Sequence, residues 1–344
     1  MKFHRIIALL LVIAPVLSVS CKKDEEEEVG EYLSGSIDLV FPSYVTSGYT
    51  KQFRIDTMST LYRGDKLHKV GYYFTNPTTG KSDTVVFDGG VANPDFPDGV
   101  YTFTAPDKLA RYSISVTGYS KDYYVKSASV SFVVVDPRLD GKGSITGFEL
   151  EDDSPLFVDP RDSRRYYTTT VEGKEWFRQN LGWEGAGKAY KDADAMSYIF
   201  GRYYTWNEAR TACPPGWRLP SDEEWMDLAA AHGGAAAPDS YDIAGAAASL
   251  MEDLKFNGET MWEYWPDVKI DNAAKFSAMP VGYATVLDGV YDFFNYGDYT
   301  VFWTSSENED GDSGIYRYIY VDKNIVFRGA GDKDSFAASV RCVR

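Results

Sequence analysis

All eight tryptophans of this 344-residue chain lie between Trp176 and Trp303, and none falls in the first half. Halves with such different core chemistry are differently built, so two domains follow. The composition is globular, with 44% hydrophobic and 25% charged residues, enough for real cores. Thirty-five Lys and Arg against 51 Asp and Glu give a net charge of -16, which becomes -18 when Lys2 and Arg5 of the leader are set aside. Nothing supplies the cations that displace phosphate counterions, which excludes sequence-general nucleic-acid binding. Of three histidines only His68 and His232 lie beyond the leader, so a multi-histidine metal site is excluded as well.

The leader decides the compartment. Lys2, His4 and Arg5 precede the apolar run Ile6 to Ala14, which at about 1.5 Å per residue is too short to cross a bilayer core of about 30 Å. Residues 1–20 read as a secretory signal peptide. The run ends Leu17, Ser18, Val19, Ser20, Cys21 and resembles a bacterial lipobox, with the leucine one step earlier than the pattern has it. That resemblance implies that Cys21 becomes the acylated first residue; an ordinary signal peptide cut nearby is the alternative. Residues 21–31 then form a tether, because Lys22, Lys23, Asp24 and Glu25 to Glu28 are too densely charged to pack. Lysine and acids just behind a lipidated cysteine look like the export signal of Bacteroidota surface lipoproteins. The expected location is the outer membrane, lipid-anchored and exposed at the cell surface.

Residues 32–136 read as strand after strand, with alternation at Ile37, Leu39, Phe41; Val70, Tyr72, Phe74; Ile114, Val116; and Val130, Phe132, Val134. Turn chemistry at Asn76, Pro77, Gly80 and from Pro94 to Gly99 separates them. Seven or so strands in such a length fit an all-β immunoglobulin-like sandwich, and Ala105 through Val116 resembles its EF turn and F strand, with Tyr112 as a candidate tyrosine corner. The domain holds no cysteine, so it must cohere by packing. It is either a spacer or a ligand-binding domain in its own right. Residues 137–155, with Pro137, Gly141 and Gly143, read as a linker.

Residues 156–344 carry ordered blocks: GRYYTWNEA from Gly201, CPPGWRLPSDEEW from Cys213, FSAMPVGY from Phe276, FWTSSE from Phe302 and SVRCVR from Ser339. Upstream stand Glu175, Trp176, Asn180 and Leu181. Together they resemble the Fibrobacter succinogenes major paralogous (FISUMP) family, which implies an α+β domain similar to the C-type lectin-like fold. Local signals agree with this placement. Thr205 with Glu208, and Ser221 with Glu224, are capping boxes that open two helices, Gly233 and Gly234 stop the second, and residues 243–254 read as a third helix weakened by Gly245. With Cys21 assigned to the lipid, Cys213 and Cys342 are left to pair, as the helix-to-last-strand tie of lectin-like domains implies; two free thiols are the alternative.

The chemistry points to binding. His232 ends a helix with no signature around it, and the redox cysteines of formylglycine-generating enzymes, which share the wider fold, are missing. No catalytic residue is assigned, although a glycosidase carboxylate pair would leave no mark in sequence. The calcium and sugar triplets of C-type lectins are broken at Trp265, Pro266, Asp267 and at Trp303, Thr304, Ser305. Glu307, Asn308, Asp310 and Asp312 form an oxygen-rich loop that would suit calcium, or else is simply solvated; no other cofactor is implied. Trp262, Tyr264, Trp265, Asp267 and Tyr296 form the candidate ligand surface, as aromatics flanked by polar residues, the alternative being that they are core. The expected function is a non-catalytic binding or adhesion protein for an extracellular glycan or protein. A structural envelope or fimbria-associated component is the alternative, followed by an extracellular glycan hydrolase.

Overall fold

A computed structural model describes residues 35–37, 39–54, 59–61, 69–75, 82–88, 100–119, 125–135, 145–146, 155–237, 240–262 and 268–344. The fold is mostly β-sheet. Among the described residues before 136, nine strands follow one another: β1 (Gly35–Ile37), β2 (Tyr44–Thr46), β3 (Thr50–Arg54), β4 (Ser59–Leu61), β5 (Lys69–Thr75), β6 (Ser82–Asp88), β7 (Val100–Thr104), β8 (Arg111–Tyr119) and β9 (Val125–Val135). They form a five-stranded sheet in the order β2-β9-β8-β5-β6, with the pairs β3-β7 and β1-β4 beside it. Period-two alternation explains the arrangement: Tyr112, Ile114 and Val116 of β8 are buried. Their neighbours Ser113, Ser115 and Thr117 bond across the outer face to Ser127 and Ser129. Four phenylalanines, Phe41, Phe74, Phe103 and Phe132, meet in the core at centroid distances from 4.7 to 6.5 Å. Tyr112 donates its hydroxyl to the Lys108 carbonyl at 2.6 Å, the back-bond expected of a tyrosine corner.

β10 (Ile145–Thr146) falls inside the stretch that reads as a linker, yet it pairs with a strand of the second half. The rest of residues 136–154, the leader and the tether, Cys21 included, lie outside the described residues. Val135 is fully buried in a core that also holds Tyr190, Leu254, Phe256 and Val281. Asn257 donates its side-chain amide to the Val134 carbonyl at 2.9 Å, and the Tyr44 and Tyr190 rings lie 5.8 Å apart. The first-half sheet is therefore docked on its neighbour rather than hung from it.

The second half opens with β11 (Leu156–Val158), β12 (Arg165–Val171), β13 (Lys174–Phe177) and β14 (Lys188–Ala189), then α1 (Asp194–Ser197), β15 (Arg202–Thr205), α2 (Trp206–Ala212) and α3 (Asp222–Ala230). Both expected capping boxes are present, Thr205 with Glu208 and Ser221 with Glu224. After β16 (Ala235–Ala236) and β17 (Ile243–Ala244) comes only a four-residue helix, α4 (Ala247–Leu250), where the sequence reads as helix over 243–254. Gly245 is the reason: its φ is +96°, left-handed backbone that breaks the helix before it starts. The chain ends with β18 (Lys255–Phe256), β19 (Glu259–Thr260), β20 (Tyr283–Leu287), β21 (Val290–Phe294), β22 (Tyr299–Glu307), β23 (Ser313–Tyr320), β24 (Ile325–Asp332) and β25 (Phe336–Ala338). Two five-stranded sheets result, β14-β15-β25-β20-β21 and β16-β17-β24-β23-β22. Bridges from Gly282 to Thr300 and from Phe302 to Ser339 join them.

The last residues hold these layers together. Ser339 to Val343 are fully buried, with Val340 and Cys342 in the core around Trp206 and Trp303, and Val343 in the core around Trp176 and Trp225. Between them Arg341 donates to Asn180 Oδ1 and to the carbonyls of Phe177, Phe276 and Ser277 at 2.6 to 3.0 Å. Cys213, just past α2, is bonded to Cys342 across 129 residues, with Cα atoms 5.8 Å apart. Changing Cys342 to Ser should lower stability by about 2–5 kcal/mol, read as an earlier unfolding midpoint of the second half in urea. Changing Arg341 to Met should cost on the order of 3 kcal/mol or more, because four buried acceptors lose their donor. Calorimetry on the two variants checks both values.

Candidate ligand-binding surface

β23 builds the surface. Ile315, Arg317 and Ile319 point inward and are buried, which turns Tyr316, Tyr318 and Tyr320 to the other face, where they are half-buried. Arg317 is held in by Asp222, at 2.6 Å, which also takes Arg328 at 3.0 Å. A fixed inner face thus fixes the outer one.

From these tyrosines a row of rings crosses both sheets. Phe294 stacks on Tyr283 at 5.8 Å and Tyr283 on Phe336 at 5.1 Å. Phe336 stacks on Tyr316 at 5.0 Å, and Tyr318 follows at 5.9 Å. Tyr318 then leads to Phe327 at 4.9 Å and to Tyr299 at 6.0 Å, and Tyr299 to Tyr320 at 4.6 Å. Two glycines make room for it. A Cβ on Gly329 would sit 2.4 Å from the Tyr316 ring, and one on Gly331 would sit 2.9 Å from Phe336. Phe294 is 44% exposed, and the other seven rings are half-buried, so the row is a surface with a rooted base. The hydroxyls of Tyr283, Tyr299, Tyr316 and Tyr318 make no hydrogen bond to another described residue, so their donor and acceptor capacity is not consumed among the described residues. Such a surface can pack against the apolar face of a ligand while bonding its hydroxyls.

A second aromatic group lies on the opposite face of the hairpin of β20 and β21. Tyr190 packs against Phe293 at 5.1 Å and Phe200 at 5.5 Å, and Tyr296 stacks on Phe200 at 5.5 Å. Burial pushes the phenol of Tyr190 up to about 12 and that of Tyr296 higher still, with neighbouring tyrosines adding to each. Tyr291, in the same hairpin, donates to Glu208 Oε2 at 3.3 Å.

A buried polar constellation offers a different chemistry. Ser277 Oγ lies 3.0 Å from Glu252 Oε2 and accepts from Arg178 at 3.0 Å. Asn272 also bonds Glu252, and burial raises the Glu252 carboxyl above the usual range. Ser277 is only 1% exposed, so this hydroxyl is closed to a substrate and serves the packing around Arg341.

The residues singled out from sequence scatter. Trp262 is a correction: it is 2% exposed, part of the Trp225 core, and donates Nε1 to the Glu252 carbonyl at 3.0 Å. Tyr264, Trp265 and Asp267 lie outside the described residues. Tyr296 is 39% exposed, at the end of β21, where it meets Phe200. Glu307 is engaged by Lys333 at 3.0 Å and Arg210 at 4.0 Å, while Asn308 caps its own turn by accepting from Ser313 N. Among the described residues no three His, Cys, Asp or Glu side chains converge on a metal position, the loop of Glu307, Asn308, Asp310 and Asp312 included. Tyr291, Phe293 and Phe294 lie on one strand of a hairpin, β21 paired with β20, closed by Asp288 and Gly289 with φ of 50° and 78°. Sequence reasoning missed the row on β23, although Tyr316, Tyr318 and Tyr320 alternate in plain view with buried residues.

The tyrosines also set an alkaline limit. Burial raises the phenols of Tyr203 and Tyr204 far above their ordinary value, and those of Tyr299, Tyr316 and Tyr318 by less. A raised phenol contributes stability in full below its unfolded value of about 10 and loses it as pH climbs through the folded value. Ultraviolet titration should therefore show the buried phenols ionising late, together with loss of near-ultraviolet circular dichroism.

Comparison with known proteins places the second half. A family model described as the Fibrobacter succinogenes major domain matches residues 162–344. No curated protein matches the chain. Two structures of superoxide reductase (neelaredoxin) from Ignicoccus hospitalis are 16% identical to it; one covers 30% of this chain and 82% of its own at a TM-score of 0.21, the other 29% and 80% at 0.20.

Proposed function

The chain belongs to the Fibrobacter succinogenes major domain family, and from that premise we propose that it is a surface-anchored, non-catalytic binding protein for an extracellular glycan. The observation that carries this reading is the half-buried row of rings from Phe294 to Tyr320, in which the hydroxyls of Tyr283, Tyr299, Tyr316 and Tyr318 are bonded to no other described residue. Sugars have apolar faces and hydroxyl edges, and such a row meets both. No metal is needed for that contact. The thiol of Cys213, the one cysteine in a family block near a helix end, is consumed by its bond to Cys342, which supports binding over nucleophilic chemistry.

We infer an immunoglobulin-like sandwich followed by a C-type lectin-like domain. The two-sheet packing and the Tyr112 to Lys108 bond support the first assignment. The second is supported by α2 and α3 preceding an antiparallel sheet, and by a disulfide tying α2 to the C-terminal segment. The lipobox-like run ending at Cys21 and the acids behind it support an outer-membrane anchor with display at the cell surface. A protein partner is the second reading, as in an envelope or fimbria-associated role, because Leu287 and Val290 at the hairpin tip are 74% and 63% exposed.

The full-length chain in detergent should bind members of a glycan array. Changing Tyr318 to Ala should weaken that binding by about 1–3 kcal/mol, by analogy with bases stacked on aromatic side chains, in a variant that circular dichroism shows to be folded at the assay temperature. An array on which nothing binds, with capture of envelope proteins through Leu287 and Val290, would favour the second reading. Changing Cys21 to Ala should move the protein from the membrane fraction to the soluble fraction; retention there would overturn the lipid anchor.

A further inference from the structure

Resting on the glycan reading, we propose that the ring row takes an uncharged polysaccharide chain and excludes polyanionic ones such as uronates. The charges around the row carry this. Asp298 immediately precedes Tyr299, and Asp322 follows Tyr320 by two residues. Asp292 is exposed on β21, on the same face as Phe294 and two residues from it. Asp242 sits close enough to Tyr318 to act on its phenol, and Asp298 and Asp322 do the same at Tyr299.

Among the described residues the cations near them are already engaged. Lys323 pairs with Asp322 itself at 3.9 Å, and Lys333 pairs with Glu307 at 3.0 Å. Arg317 is fully buried, and Arg328 turns to Asp222 and lies over the Tyr241 ring at 4.4 Å. A uronate or sulfate chain along the row would set its charges against these carboxylates with only Lys323, itself opposite Asp322, as a free-standing surface cation beside them among the described residues, a penalty that grows as water is displaced. An uncharged sugar meets no such penalty. Its C–H face lies on the electron-rich rings, and its hydroxyls can donate to the same carboxylates that repel an anion. The ring-to-ring steps of 4.6 to 6.0 Å continue from Phe294 to Tyr320, so the site suits an extended chain rather than a single terminal sugar.

The test is affinity electrophoresis of the full-length chain in gels containing xylan, mannan, 1,3-β-glucan or polygalacturonate, at low and high salt. At least one neutral polymer should retard the protein at both salt levels, and polygalacturonate should not retard it at low salt. Tyr318→Ala should weaken neutral retardation by about tenfold or more, the change expected for one lost stacked ring. The triple variant Asp292→Asn, Asp298→Asn, Asp322→Asn, checked for an unchanged melting temperature, should gain retardation by polygalacturonate. Wild-type protein held by polygalacturonate as strongly as by a neutral polymer would overturn the charge selection while leaving the glycan reading standing, as would a triple variant that discriminates as before. Absence of retardation by every polymer would bring down the glycan reading and this inference together.

Discussion

A guanidinium with no described carboxylate paired to it organises the second half of this protein. Arg341 is fully buried, and burial, followed by the like charge of Arg178, works against its charged form. What holds it is a set of neutral acceptors, Asn180 Oδ1 and the carbonyls of Phe177, Phe276 and Ser277, with the rings of Phe276 and Phe302 at 4.5 and 5.4 Å. These acceptors come from two separate stretches of chain, 177–180 and 276–277, and Arg341 lies on a third. One planar fork with five donors can satisfy all of them, which a lysine ammonium could not do in the same geometry. The blocks around Asn180, Phe276 and Arg341, far apart in sequence, are thus parts of a single hydrogen-bonded unit.

That unit sets the rest by contact. Val340 and Cys342 face one core and Val343 the other, so the position of Arg341 fixes how far apart the two layers stand. The sheet carrying β22 and β23 lies between the layers, with Phe302 toward one and Trp303 toward the other. Its outward tyrosines inherit that placement. The ring row is ordered because its roots are, and Gly329 and Gly331 serve it by leaving the sheet surface low enough for Tyr316 and Phe336 to lie against it.

Much of this was legible where chemistry is local. Capping boxes depend on residues three apart, the Tyr112 back-bond on residues four apart, and Trp206, Trp217, Trp225 and Trp303 are buried as their blocks imply. The pairing of Cys213 with Cys342 followed once the family was recognised. What escaped depends on partners distant in sequence. Trp262 reads as a polar-flanked loop aromatic, but the Glu252 carbonyl gives its indole N–H a buried partner. Residues 243–254 have a helical composition, but Gly245 abuts the Gly233 carbonyl and its left-handed backbone ends the helix. The hairpin at Asp288 and Gly289 and the alternation on β23 were present as signals, and were obscured because tyrosine serves equally as core and as surface.

The docking of the first-half sheet also determines how the molecule answers a pull. Val135 ends β9 inside the neighbouring core, and Asn257 grips the carbonyl just before it. Traction between the ring row and the N-terminal half therefore enters β9 along its own axis. It meets nine antiparallel pairings with β8, from Arg111 with Val133 to Tyr119 with Val125. Drawn lengthwise, these hydrogen bonds are strained in shear and must yield together instead of opening one by one like a zip. The geometry is that of a rope splice rather than a hinge.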